Sequence, residues 1–335
     1  MEVRRIDVHD DEECAHAYDV IVQSKGHERS WVEPPSLAET LVEWRHVDEA
    51  EPMEMWGAYD GPDLVGVATL WLPMTDNTTM TWTDVQVAPS RRRRGAGTAL
   101  VERLVARARA EGRATMVVEF HVPPDSDDHG YRRFAERHGF ALGNTEIVRH
   151  LELPVEAALL DRHAECARPR WDGLYRLETH VDGVPEHLQE SLCALMNQLA
   201  VDAPTGDIDF EEESFTPARY QEHLDVEKAQ ARVRLSTLAV HEDSGDVVAY
   251  TDLVLPAGAP GTAWQWGTLV QREHRGHRLG MAVKVENLRR LQRDHPERRR
   301  VVTGNSDTNS WMVSINEGLG FRVVELCPAY QRSLA

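Results

Sequence analysis

Apolar positions change their period at regular intervals along the chain, and each change marks an element. Alternation over residues 2–7 predicts a first strand. Residues 10–25 predict a helix with Asp10 or Asp11 as its N-cap. Residues 55–59 and 64–71 flank Asp60-Gly61-Pro62, a hairpin signal. A strand at 80–87 (MTWTDVQV) stops at Pro89. Over 98–111, Leu100, Val101, Leu104, Val105 and Ala108 recur at helical spacing, and Gly112 closes that helix. A β-rich segment at 114–120 follows, then a polar loop over 123–130. A short helix ends at His138, and Gly139-Phe140 restarts extended chain.

The same order then returns. A strand at 175–179 and a helix over 186–200 precede a hairpin, 235–241 and 247–255, around Ser244-Gly245. A strand at 263–270 leads into a basic Gly loop and a helix with Met281, Val285, Leu288 and Leu291 on one face. A strand at 300–303, a loop at 304–309 and a helix ending in Leu319-Gly320-Phe321 complete the copy. Residues 154–173 fit neither copy and read as a linker with a helical turn at 155–166. The expected division is 1–154, a linker 155–173, and 174–335, each half an α/β domain built on a mixed α+β sheet.

A length of 335 residues suits two domains. The balance of 37 basic against 56 acidic residues, −19 net, opposes tight nucleic-acid binding and suits solubility or a cationic substrate. No apolar run approaches a membrane span, and the acidic first residues do not resemble a signal peptide. Cys14, Cys166, Cys193 and Cys327 are scattered, with no CxxC and no metal spacing. A reduced, cytoplasmic protein with no metal and no membrane or nucleic-acid partner is the expectation.

The candidate chemistry lies in two loops, Ser90 to Gly97 and His274 to Gly280, each between a strand and a helix. A helix N-terminus leaves backbone N–H groups unpaired, the dipole adds positive charge, and glycine permits close approach, so such a loop suits a pyrophosphate. The spacing is neither G-x-G-x-x-G nor G-x-x-x-x-G-K-[ST]. It resembles the acyl-CoA motif of the GNAT acyltransferase superfamily, [Q/R]-x-x-G-x-[G/A] after a strand ending in Val-x-Pro. Val87-Ala88-Pro89 followed by Arg92-Arg93-Arg94-Gly95-Ala96-Gly97 matches in full. Arg275-Gly276-His277-Arg278-Leu279-Gly280 stands at the same spacing from Val270, with Arg278 in the place of the first glycine. A rival register, His277-x-x-Gly280-x-Ala282, keeps the glycine but needs two extra residues and loses the Arg/Gln.

The resemblance implies two tandem GNAT domains, each a mixed sheet with splayed central strands flanked by helices. It implies acetyl-CoA, or another acyl-CoA, held by Val85, Val87, the 92–97 loop and Thr98. In the second half it points to Val270, Arg275, Gly276, His277, Arg278 and Gly280, with Asn309 and Asn316 at the family's offsets before Gly320. The implied reaction is N-acetylation of a primary amine of a small molecule by direct attack, in a monomer or homodimer. Glu119, seven residues after Gly112, is the candidate base, and Asp84 on the neighbouring strand assists or binds the amine; a salt bridge or strand-end cap is the alternative role for each. The family's tyrosine acid is absent: its places hold Ala135 and Asn316. Tyr131, one turn from Ala135, substitutes or merely packs. Two other readings stay open, a degenerate CoA-binding regulator and an aminoacyl-tRNA-dependent ligase, the latter opposed by the charge. Trp264 and Trp266, the acidic stretch from Asp202 to Glu213, and solvated His274 and His277 complete the candidates.

Overall fold

The structure, a computed structural model, describes the chain except Ala203, Asp307 and the side chain of Ala200. Chain order is β1 (Glu2–Arg5), α1 (Asp11–Lys25), α2 (Leu37–Arg45), β2 (Met53–Asp60), β3 (Asp63–Trp71), β4 (Met80–Val87), α3 (Ala96–Ala110), β5 (Thr115–Glu119), α4 (Gly130–Arg137), β6 (Ala141–Glu152), α5 (Ala157–Ala167), β7 (Tyr175–Val181), α6 (Glu186–Asn197), α7 (Leu199–Asp202), α8 (Pro217–Ala229), β8 (Val233–His241), β9 (Val247–Leu255), β10 (Thr262–Val270), α9 (Leu279–Asp294), β11 (Arg300–Ser306), α10 (Ser310–Leu319) and β12 (Arg322–Ser333). Two compact units result. The first is Met1–Thr145 with Gly206–Asp209 and Leu326–Ala335; the second is Glu146–Thr205 with Phe210–Glu325. The units therefore do not follow the sequential boundaries 1–154, 155–173 and 174–335. The segment expected as a linker forms α5, whose Leu160 is buried with Val285, Leu288 and Leu291 of α9.

In unit 1 the strand order is β1-β2-β3-β4-β5-β12. Neighbours are antiparallel except β4 and β5. That parallel pair runs from Met80↔Thr115 to Thr83↔Val118, and β4 then continues to Val87 against β3 alone. The central strands part there, as expected. Helix α3 covers the sheet with Leu100, Val101, Leu104, Val105 and Ala108, packed among Ala68, Leu70 and Met116. Asp10, and not Asp11, is the cap of α1, accepting from the amides of Glu12 and Glu13. Helix α2 lay outside the expected elements; it starts at a capping box formed by Ser36 and Glu39.

Unit 2 repeats the plan, β6-β11-β10-β9-β8-β7, with β10 and β11 parallel. Its core contains a fully buried amine. Lys284 of α9 donates to Asn316 Oδ1 at 2.8 Å, lies over the Phe321 ring, and is pushed down to about 7 by burial. The unfolded chain, with an ordinary lysine near 10.4, binds the extra proton between these values. Stability of unit 2 therefore rises with pH from about 7 towards 10. In denaturant titrations across this range Lys284→Met should remove that rise; an unchanged slope would place the titrating group elsewhere.

Candidate active site

Where β4 and β5 part, unit 1 holds a cleft of about 690 Å³. Its walls come from the end of α1, the second half of β4, the 92–97 loop, β5 with the residues just after it, α4, and Cys327 of β12. Val85 and Val87 line it, as expected of the strand beside an acyl-CoA.

The loop is rigid for local reasons. A 3-10 turn over Pro89–Arg91 follows β4. Arg92 then staples the loop, donating to Val87 O at 3.0 Å, Tyr131 Oη at 2.9 Å and Ser24 Oγ at 3.1 Å. Arg92 is thus a positioning residue. Arg93 (φ 63°) and Gly95 (φ 93°) both adopt left-handed backbone, which turns the chain into α3. No side chain caps α3, so the amides of Ala96, Gly97 and Thr98 are left without intrahelical partners. Arg93 and Arg94 are exposed and form no ion pair among the described residues, whereas the Thr98 hydroxyl is 3.2 Å from His138 Nε2. A Cβ on Gly97 would sit 3.0 Å from Phe134 Cζ, so glycine is what lets the helix start approach α4. Uncapped amides, two uncommitted cations and an adjoining cleft fit the pyrophosphate and pantetheine of an acyl-CoA.

The three residues expected to act on substrate all line this cleft. Two differ from expectation. Glu119 is the last residue of β5 and solvent-exposed, not a strand-interior side chain. The surrounding walls still raise its carboxyl above the ordinary range; Asp84 adds to this and His121 opposes it. Asp84 lies within β4, but Lys25 Nζ is 2.9 Å away and Gln86 Nε2 also donates to it. The Asp84 carboxylate in turn holds the Lys25 ammonium above its usual value. Asp84 is therefore engaged by Lys25 and Gln86. Tyr131 does more than pack: its Oη accepts from Arg92, which leaves its own O–H available.

In unit 2 the corresponding loop has the same backbone with its glycine moved. Gly276 (φ 87°) and Arg278 (φ 57°) are left-handed at the places of Arg93 and Gly95, and Arg275 Nε donates to Val270 O at 3.2 Å as Arg92 does to Val87. The register with Arg278 in the glycine position is thereby supported geometrically. Gly280 approaches Ile315 as Gly97 approaches Phe134. The electrostatics differ. The Asp202 carboxylate, at the end of α7, accepts from Arg272 Nε at 2.7 Å and Arg275 Nη2 at 2.7 Å, so these two arginines are paired to an acid. Asp202 was expected in a solvated acidic stretch. His274 and His277 are not merely solvated either: Tyr175 Oη lies 2.9 Å from His274 Nδ1, and His277 Nδ1 is 3.2 Å from His274 O.

The two asparagines carried over from the family do not face a ligand. Asn309 caps α10, accepting from the Met312 amide at 3.2 Å. Asn316 is wholly buried between Lys284 and Asn305. Counting from Gly97 and Gly280, Lys284 matches Val101; counting from Gly139 and Gly320, Asn316 matches Ala135. Val101 and Ala135 line the unit 1 cleft, and the bonded pair Lys284–Asn316 occupies the corresponding positions in unit 2. Trp264 stands beneath the Arg232 guanidinium and Trp266 beneath that of Arg234.

Sequence reasoning missed Lys25, His121, His129 and Cys327 of the cleft. Lys25 is the last residue of α1, and Cys327 arrives from the far end of the chain. Neither had a local motif to mark it. Among the described residues no cluster of His, Cys, Asp or Glu is arranged to hold a metal, and no helix is long and apolar enough to cross a membrane.

Residues 14–140 match the profile of the acetyltransferase (GNAT) family. No curated protein matches the sequence. Among solved structures, the chain is similar to a tandem GNAT protein from the clavulanic acid biosynthesis pathway, determined without AcCoA, at 26% identity and a TM-score of 0.77, covering 100% of this chain and 98% of that one. A GCN5-related N-acetyltransferase from Sphaerobacter thermophilus shares the fold at 17% identity and a TM-score of 0.65, with 99% and 95% covered. Residues 14–140 are therefore a domain of the acetyltransferase (GNAT) family, and the chain as a whole is a mixed α/β protein of tandem GNAT type.

Proposed function

We propose that unit 1 transfers an acyl group, acetyl in the first instance, from acyl-CoA to the primary amine of a small molecule. The observation that carries this reading is the uncapped start of α3, flanked by unpaired Arg93 and Arg94, opening onto the same cleft as Glu119. The loop amides and the two arginines hold the pyrophosphate. The second half of β4, which has no β5 partner, offers backbone groups to the pantetheine and the acyl carbonyl. An alkylammonium is not nucleophilic, so Glu119 takes the amine's proton as its nitrogen attacks the acyl carbon. The Tyr131 hydroxyl offers a hydrogen bond to the departing sulfur. Asp84, held by Lys25, orders the acceptor side of the cleft and assists Glu119.

Unit 2, with Arg272 and Arg275 committed to Asp202 and with Lys284 and Asn316 at the positions that line the unit 1 cleft, serves structure. Titration calorimetry should accordingly find one CoA per chain. Gly97→Glu should abolish that binding, because bulk and negative charge arrive where the phosphates sit. Replacing both Arg93 and Arg94 by alanine should weaken it roughly tenfold, the combined worth of two exposed ion pairs of up to about 1 kcal/mol each. Two CoA molecules per chain, or unchanged affinity in Gly97→Glu, would contradict the assignment.

Thiol release from acetyl-CoA against a library of primary amines identifies the acceptor. With it, Glu119→Gln should lower kcat by about 10²- to 10⁴-fold without loss of CoA binding. The wild-type rate should fall as pH drops through the raised Glu119 pKa, since the protonated carboxyl accepts nothing, and the variant should lose that acid limb. Asp84→Asn should cost less. Near-wild-type turnover of Glu119→Gln from pH 6 to 9 would move the base elsewhere.

A further inference from the structure

We infer that the amine accepted by unit 1 is joined by a short linker to an aromatic ring, and that this ring lies against Trp82 and Trp71. The inference rests on the reading of the cleft as an acyltransferase site and names the chemical class of its acceptor.

The two faces of the sheet separate donor from acceptor. Side chains alternate along a strand, so residues two apart share a face. Val85, Val87, Met116 and Val118 belong with the core that packs against α3. Asp84 and Glu119, one residue out of step with them, look to the opposite face. The ion pair from Lys25, at the end of α1, agrees with this for Asp84. Acyl-CoA, held at the start of α3, enters from the α3 face. The amine therefore reaches the acyl carbon through the slot from the α1 face, where Glu119 lies.

That face carries a pair of indoles. Trp82 precedes Asp84 by two residues and shares its side of β4. Trp71 stands directly opposite Trp82 in the β3–β4 ladder, which brings their Cβ atoms to about 5 Å. Both tryptophans are half-buried and both line the cleft. Among the described residues, the apolar cluster beneath α1 gathers Cys14, Ala17, Val20, Met55 and Val67 and includes neither indole. Aromatic walls with a few convergent polar groups are the usual lining of small-molecule sites. The step from Trp82 to Asp84 along the strand is about 6.7 Å. An amine held between Asp84 and Glu119 thus places a ring over the indoles when a linker of about two or three atoms joins them. Indole faces also attract the ammonium before it gives up its proton.

Charge narrows the class further. Lys25 engages Asp84, which leaves Glu119 as the carboxylate for the incoming ammonium. Glu28 stands at the rim, 3.5 Å from His129 Nε2. Arg29 lines the same cleft as Lys25. A second ammonium on the acceptor would meet these two cations, so a monoamine fits and a polyamine does not.

Thiol release by the full-length protein with acetyl-CoA should be compared for phenylethylamine, hexylamine and spermidine. The expected order of kcat/KM is phenylethylamine, then hexylamine about tenfold lower, then spermidine. Trp82→Ala should erase the preference for phenylethylamine over hexylamine, mainly by raising the phenylethylamine KM, and should leave CoA binding in calorimetry unchanged. Trp82→Phe should retain most of it, and Trp71→Ala should lose a smaller part. The preference is a ratio taken within one preparation, so a partly unfolded variant does not alter it. Equal or faster turnover of hexylamine or spermidine, or a preference that survives Trp82→Ala, overturns the aromatic acceptor while the turnover itself upholds the acyltransferase reading. CoA binding without thiol release to phenylethylamine overturns the aromatic acceptor and leaves the acyl-CoA site standing. Failure of the wild type to bind CoA overturns both.

Discussion

The parting of β4 from β5 after Thr83↔Val118 is the constraint on which unit 1 depends. In unit 1, β4 and β5 pair in parallel, and parallel strands are joined by a crossover, here α3, whose N-terminus must lie at the C-terminal end of β4. Ending the ladder early opens a slot in the sheet at the same end. The helix start, with its positive dipole and uncapped amides, and the slot are thus adjacent by topology. Ligand sites at the carboxyl ends of parallel strands arise in this way. The second half of β4, without a β5 partner, lies on one side of that slot and Glu119, at the end of β5, on the other.

The repeated unit shows how little must change to remove such a site. Its loop keeps two left-handed residues and the arginine staple, so the backbone form does not need the glycine at one fixed place. Three substitutions of charge and volume separate it from unit 1. Asp202 pairs with Arg272 and Arg275, Lys284 stands where Val101 is small and apolar, and Asn316 replaces Ala135. A buried amine is costly unless hydrogen-bonded or neutral, and Lys284 is both bonded and shifted towards neutrality. A buried polar pair of this kind fixes α9 against α10 at the expense of a cavity.

Much of this was legible in the sequence. Period changes located nearly every strand of both sheets, because each half-buried strand must alternate or run apolar, and the paired basic Gly loops pointed to the cleft. The capping box at Ser36 and Glu39 and the Thr216-Pro217 start of α8 are equally local signals, and both helices hold the same place, before the hairpin of each half, although the repeat as read from spacing omits them. What sequence spacing does not carry is partnership across the fold. Lys25 meets Asp84 from far back in the sequence, Asp202 meets Arg272 and Arg275, and Cys327 meets His121 across 206 positions. Asn309 and Asn316 sit at the family's offsets, yet one caps a helix and the other serves the core, because an offset fixes a place on a helix and not what that place faces. The unit boundaries follow the same logic: strand pairing decides where the final segment belongs.

Hydrogen–deuterium exchange of the full chain, with and without saturating CoA, tests the central claim most directly. Protection should appear over residues 84–98, where β4 leaves β5 and α3 begins, and the matching segment 267–281 should be unchanged. Protection confined to 267–281, or spread equally over both, would contradict an acyl-CoA site built in unit 1 and closed in unit 2.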